Sequence, residues 1–147
     1  MRPPANMAMP AGGARYRDGI VFCSQGTTSN GTGGLYYMPL GEPPEPVVTN
    51  YFGREFNSVH DVAVAGDGSF WFTDPRDGFE NGYRLEPQLP CHVYRYDPAT
   101  GDLRVMADGL GQPHGIAIGP DDDTVYVSDS STGATGSNMD GGQGRTL

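Results

Sequence analysis

One local pattern recurs along this chain at an interval near 50 residues, and it restricts the fold more than any other feature. Asp67-Gly68-Ser69-Phe70-Trp71-Phe72-Thr73-Asp74 and Asp122-Asp123-Thr124-Val125-Tyr126-Val127-Ser128-Asp129 each run from a turn into an apolar strand that closes on a hydroxyl residue and an aspartate. Asp18-Gly19-Ile20-Val21-Phe22-Cys23-Ser24-Gln25 follows the same plan, with Gln25 in the place of the closing aspartate. The starting aspartates lie 49 and 55 residues apart. The second and third copies also share an upstream strand, His60-Asp61-Val62-Ala63-Val64 and His114-Gly115-Ile116-Ala117-Ile118. Cys91 to Tyr96 and Leu103 to Met106 add two more strands, parted by the turn Asp97-Pro98-Ala99-Thr100-Gly101-Asp102, which has Pro and Gly where turns want them. Leu35 to Met38 and Pro46 to Val48 fill the same places in the first unit. A four-stranded antiparallel sheet repeated every 40–50 residues or so is the mark of a β-propeller blade. A sandwich shares the short strands but not the recurrence. The expected fold is therefore all-β, a β-propeller of which about three blades are present, whereas propellers close with roughly four to eight.

Composition narrows the function classes. The formal net charge is −9, which repels phosphate, so nucleic acid is not an expected partner. No apolar run approaches the roughly 18 residues a membrane span requires, so no membrane partner is expected. The 23 Gly and 13 Pro fit a turn-rich β protein, without the Gly-X-Y period of collagen. Cys23 and Cys91 stand 68 residues apart with no Cys-x-x-Cys spacing, and they read as two separate thiols rather than a disulfide framework. Residues 1–17 read as a flexible leader without the apolar stretch of a secretory signal, which leaves the cytoplasm as the default compartment. Residues 18–132 read as the partial propeller, and 133–147 as an irregular Gly-rich tail that breaks the pattern where a further strand should begin. That break is expected either of a truncated piece of a longer protein or of a chain that completes its ring as a homodimer.

The stretch Phe56-Asn57-Ser58-Val59-His60-Asp61-Val62-Ala63-Val64, followed by Asp67-Gly68-Ser69-Phe70-Trp71-Phe72-Thr73-Asp74-Pro75, resembles the senescence-marker-protein/gluconolactonase-like family, which includes regucalcin-like proteins, fungal lactonohydrolases and diisopropyl fluorophosphatase. Gln88-Leu89-Pro90, Val93-Tyr94-Arg95-Tyr96-Asp97-Pro98, Val105-Met106-Ala107-Asp108-Gly109, Gln112-Pro113-His114-Gly115-Ile116-Ala117 and Thr124-Val125-Tyr126-Val127-Ser128-Asp129 extend the match in family order. The resemblance implies a six-bladed propeller with one divalent metal, usually calcium, in its central channel. It implies a metal-dependent hydrolase that opens the lactone ring of a sugar acid or a related small ester. The family's ligands are a Glu near the N-terminus, two Asn in the middle and an Asp nearer the C-terminus. Here the two Asn positions fall on His60 and His114, the Glu has no match before Asp18, and the late Asp would lie beyond Leu147. Calcium wants oxygen ligands, whereas imidazole suits zinc and its neighbours, so the double exchange tilts the expectation toward a transition metal such as zinc.

These readings name the candidate residues. His60 and His114 are the metal ligands implied by the resemblance, with polar channel residues bonded to backbone as the plainer alternative. His60 and Asp61 are the candidate catalytic groups, His60 as general base and Asp61 as the carboxylate that orients an imidazole or merely caps a strand. Gln25, Arg54 and Asn57 are candidate substrate contacts, with a solvated surface role as the alternative for Arg54. Asp74 and Asp129 are expected to bond backbone N–H groups of the following turn. Trp71, Tyr94, Tyr96 and Tyr126 are expected in the inter-blade core, and Asp121 to Asp123 in a turn. Two functions from different classes stay open: a lactonase-type hydrolase, and a catalytically inactive propeller fragment or interaction scaffold.

Overall fold

The computed structural model describes residues 8–131 and the backbone of 145–146. Apart from Arg145–Thr146, the expected tail lies outside the described residues. Strands β1 (Pro10–Tyr16), β2 (Gly19–Ser24), β3 (Gly34–Pro39) and β4 (Glu45–Val48) form one antiparallel sheet in chain order. A two-strand hairpin, β5 (Asn50–Tyr51) and β6 (Arg54–Glu55), leads out of it. The second sheet contains β7 (Val62–Val64), β8 (Phe70–Asp74), β9 (His92–Asp97) and β10 (Asp102–Ala107), again paired in chain order, with the short helix α1 (Asp77–Glu80) between β8 and β9. A third sheet pairs β11 (Pro113–Ile118), β12 (Val125–Asp129) and β13 (Arg145–Thr146). Each sheet is a blade, and β1, β7 and β11 pack side by side as their inner strands.

The blades stack because their strands alternate. In β8, Phe70 and Phe72 point to one face and join Val21, Leu35, Phe56 and Tyr94 in the core between the first and second blades. Trp71 points to the other face, where it packs with Val93, Ile116 and Val127 between the second and third. This period of two is what a sheet buried on both faces requires. Phe56, Phe72 and Tyr94 meet at 5.2–5.4 Å between ring centres, within the range in which aromatic pairs add to simple burial. Tyr126 departs from the expected core placement and is 54% exposed, because its neighbours Val125 and Val127 take the two inward positions of β12. Both cysteines are free and buried, as expected.

Two expectations are corrected here. The supposed flexible leader is structured from Pro10 onward, and β1 is the inner strand of the first blade. Its run of small residues (Ala11, Gly12, Gly13, Ala14) hides the strand signal, yet Gly12 N–H donates to His60 O at 2.8 Å and lies flush against Asp61. The second correction concerns register. Gly13 faces Phe22, Val62 faces Phe72 and Ile116 faces Val127 across their hairpins. Ser24, Asp74 and Asp129 are thus equivalent, as are Ala11, His60 and His114, while Gln25 corresponds to Pro75 and Ser130. Aligning the repeats on their turn aspartates slips the first by one residue, because the link between β1 and β2 is shorter than that between β7 and β8.

The equivalent Ser24, Asp74 and Asp129 do the same job with different chemistry. Each receives a backbone N–H from the segment entering its blade's inner strand: Ala8 at 3.2 Å, Asn57 at 2.9 Å and Gly111 at 3.0 Å. Asp74 and Asp129 also take the next N–H, from Ser58 and Gln112. The donors for Asp74 therefore come from upstream in the chain, not from the turn that follows it. Asp122, in the acidic turn, receives the N–H of Gly66 and ties the third blade to the second.

Candidate metal centre

His60 lies two residues before β7, and His114 lies near the start of β11, so equivalent positions of adjacent inner strands bring them together. Their ring centres are 4.6 Å apart. The backbone fixes both: His60 N–H donates to Thr73 O, and His114 O accepts from the Thr73 hydroxyl. A third group arrives from α1, where the Asp77 carboxylate contacts His114 Nε2. One potential ligand atom from each of His60, Asp77 and His114 lies within 4.8 Å of the other two. His60 Nδ1 is buried and has no hydrogen-bond partner, an arrangement that buried polar atoms avoid unless something else meets them.

The helix carrying Asp77 is too short to hold its own place. Ser58 accepts the Gly78 N–H and donates to Pro75 O. Gly78 is close-packed against Arg84, whose Cγ would lie only 2.2 Å from an added Cβ. On the other side, Gln112 accepts the Arg76 N–H and donates to Glu80. Arg84 is the deeper brace: it is 8% exposed and donates to the carbonyls of Thr27, Phe56 and Asn57. It thereby joins a loop of the first blade to the entry of the second.

Electrostatics differ sharply between neighbouring groups. Burial, and next the adjacent His114, hold His60 below the ordinary imidazole range, with Asp77 and Asp61 pulling the other way. His60 is therefore neutral near pH 7, with a lone pair free for a proton or a metal. Burial pushes Asp74 up to about 7 despite its two N–H donors. Burial alone would raise its counterpart Asp129 as well, but the N–H groups of Gln112, Gly111 and Ser131 prevail and bring it to about 2.

Of the residues singled out in the sequence, the structure brings together His60 and His114. Asp61 is occupied elsewhere: Oδ1 accepts the N–H of Val62 and Oδ2 that of Ile116, at 2.9 and 3.0 Å, so it ties β7 to β11. Asn57 is buried, and its amide donates to the carbonyls of Asp74 and Pro90. Gln25 accepts the Tyr83 hydroxyl at 2.7 Å. Arg54 is exposed on the β5–β6 hairpin, paired with Tyr51. Sequence reasoning missed Asp77 and Ser130. Asp77 comes three residues after Asp74, just where the chain leaves the inner hairpin. Ser130 directly follows Asp129. Ser130 was legible as a channel-side position from the equivalence of Asp74 and Asp129, whereas Asp77 had no local signal, because α1 is held by distant residues.

The donor set is two imidazoles and one carboxylate. It fits zinc-like ions, whose catalytic sites commonly have three such protein ligands and an open position. By itself it offers one carboxylate toward the six to eight oxygens or so that calcium takes.

Comparison with known proteins agrees with this architecture. The family model described as SMP-30/Gluconolactonase/LRE-like region matches residues 7–138. A lactonohydrolase of Aspergillus oryzae is 34% identical over 134 residues, covering 84% of this chain and 30% of that protein. A gluconolactonase of Zymomonas mobilis is 35% identical over 94 residues, covering 63% of this chain and 26% of that protein. The solved structure of a gluconolactonase from Xanthomonas campestris superposes with a TM-score of 0.76 at 32% identity, covering 86% of this chain and 42% of that one. The chain thus spans under half the length of each. No helix among the described residues is long and apolar enough to cross a membrane.

Proposed function

The chain belongs to the SMP-30/gluconolactonase/LRE-like family, and from that premise we propose that it supplies the metal-holding blades of a lactone-opening hydrolase. The observation that carries the proposal is the convergence of His60, Asp77 and His114, with a buried and unpartnered nitrogen on His60. The lactonohydrolase and gluconolactonase relatives support lactones, or closely related cyclic esters, as the substrate class. A bound transition ion would polarise the ester carbonyl and acidify a water. The chain's own residues do the rest. His60 stays neutral chiefly through its burial. Asp77 sets a carboxylate opposite two imidazoles, and Gln112, Ser58 and Arg84 keep α1 from drifting. The side chain of Asp61 is spent on the backbone, so its part is to keep β7 and β11 in register rather than to touch substrate. Gln25 and Tyr83, bonded to each other, offer a polar edge for a hydroxylated ring.

A second reading has one specific observation in its favour. The contact of Asp77 with His114 satisfies both groups without any ion, as in an inert scaffold. One experiment separates the two. The protein is dialysed, loaded with zinc or cobalt, and assayed for metal content and for opening of an aldonic-acid lactone. The hydrolase reading expects one ion per chain, abolished by His114→Ala or Asp77→Ala, and turnover that follows the metal. Equal metal content and rates in wild type and both variants would sink it and leave the scaffold.

A further inference from the structure

We propose that Ser130 is a positioning residue for this centre: its hydroxyl holds the His114 imidazole so that Nε2 stays turned toward Asp77, and so sets the affinity for a divalent transition ion. The proposal rests on the reading of His60, Asp77 and His114 as a ligand set. It starts from a distance, 2.7 Å between Ser130 Oγ and His114 Nδ1. His114 is therefore gripped at both ring nitrogens, by a hydroxyl on one side and a carboxylate on the other. Ser130 is itself well placed to do this. Its N–H donates to Gln112 O at 3.0 Å, and the residue before it, Asp129, is clamped by the N–H groups of Gly111, Gln112 and Ser131.

The repeat supplies the internal control. Ser130 in the third blade corresponds to Pro75 in the second and Gln25 in the first. Proline has no side-chain polar atom, and in that blade the equivalent imidazole, His60, has a buried Nδ1 without a partner. In the first blade the inner-strand position is Ala11 and carries no imidazole, and the Gln25 amide is taken by Tyr83. Only the third blade, among the described residues, combines an imidazole with a hydroxyl at these two places. The two histidines are thus unequal, one fixed and one free to adjust.

The choice of a hydroxyl has a chemical reason. A neutral imidazole carries one N–H. When Nε2 faces the carboxylate of Asp77, that proton sits on Nε2, and Nδ1 needs a donor. When Nε2 gives its lone pair to an ion, the proton sits on Nδ1 and needs an acceptor. A serine hydroxyl donates or accepts by rotating about one bond. It serves both states without moving the ring, whereas an ammonium, which only donates, serves one.

The test is zinc binding to the whole chain, with cobalt absorption as an independent reading of the ligand field. Ser130→Ala is expected to weaken zinc binding by about 10- to 100-fold, the usual effect of removing the partner of a ligating histidine. Ser130→Thr, which keeps the hydroxyl, is expected to bind within a few-fold of wild type. The urea midpoint of ion-free Ser130→Ala should match wild type, because the side chain is exposed. Wild-type affinity in Ser130→Ala, with binding lost in His114→Ala, overturns the proposal and leaves the ligand set standing. Weakened binding that threonine does not restore, or that follows a fall in stability, overturns it in favour of simple packing. Wild-type binding in His114→Ala and Asp77→Ala removes the ligand set itself, and the proposal with it.

Discussion

The sharpest test of the architecture is Gly12→Ala, because two descriptions of the same residue predict opposite signs. In a flexible leader, replacing glycine by alanine is neutral, or stabilises by about 0.4–1 kcal/mol through the unfolded chain. In β1, the added Cβ would lie 2.0 Å from Asp61 Oδ1, 2.8 Å from its Cγ and 2.9 Å from its Cα. The oxygen could swing aside only by abandoning the N–H of Val62, and the Cα cannot move without moving β7. Either the first and second blades part by about an ångström or the Gly12–His60 hydrogen bond breaks. Overpacking of this kind costs roughly 1–3 kcal/mol, sometimes more, and a lost backbone bond adds about 1 kcal/mol. A net loss of about 3 kcal/mol is expected. With a urea m-value near 2 kcal/mol/M, the midpoint should fall by about 1.5 M. Since His60 O is the acceptor of that bond, zinc affinity should fall as well. The assay is urea unfolding followed by tryptophan fluorescence, with Trp71 as the single reporter. An unchanged or raised midpoint would refute the placement of β1 as an inner strand.

Other perturbations probe other links of the argument. Arg84→Ala removes three carbonyl contacts from a buried guanidinium and should destabilise by about 3 kcal/mol, with Arg84→Lys recovering less than half; denaturant midpoints decide, and a loss under about 1 kcal/mol contradicts the bracing role. Asp61→Asn should lower stability by about 1 kcal/mol while leaving zinc affinity within about threefold; loss of turnover at full stability and full metal content would instead restore Asp61 as a catalytic group. Because burial raises Asp74 to about 7 in the folded state, its stabilising contribution is full below the ordinary carboxylate value near 3.8 and is lost as pH rises through 7, on the order of 4 kcal/mol. His60 and His92, both lowered, work the other way below about pH 6.5. Comparing wild type with Asp74→Asn at pH 5 and pH 8 isolates the aspartate, and identical pH slopes in the two proteins would contradict its raised value.

Much of the blade plan was legible in the residues. Phe70-Trp71-Phe72 announces a strand buried on both faces, and Asp97-Pro98-Ala99-Thr100-Gly101-Asp102 announces the hairpin that Gly101 closes at φ +76°. β1 was not legible. Glycine and alanine contribute neither β-propensity nor side-chain alternation, and this strand is specified by what fits between neighbours, not by what its residues prefer. The register of the first repeat failed for a related reason, since turns tolerate changes in length whereas facing pairs do not. Of the candidate centre, the histidines could be read from their equivalent places, but Asp77 could not. It enters through α1, whose position depends on Ser58, Arg84 and Gln112 from three separate stretches of chain.

What the sequence determined by itself was periodic: the alternation within strands, the recurrence of the blade and the pairing of His60 with His114 as like positions. These follow from short-range rules, because backbone geometry dictates which residues share a face. What the tertiary structure decided was convergent: the clamp on Asp74, the diversion of Asp61 to the backbone of β11, and the meeting of Asp77, His114 and Ser130. Each joins groups 16 or more residues apart in the chain. Such meetings depend on how whole blades pack, and packing is settled by the fit of many side chains at once, which no local pattern encodes.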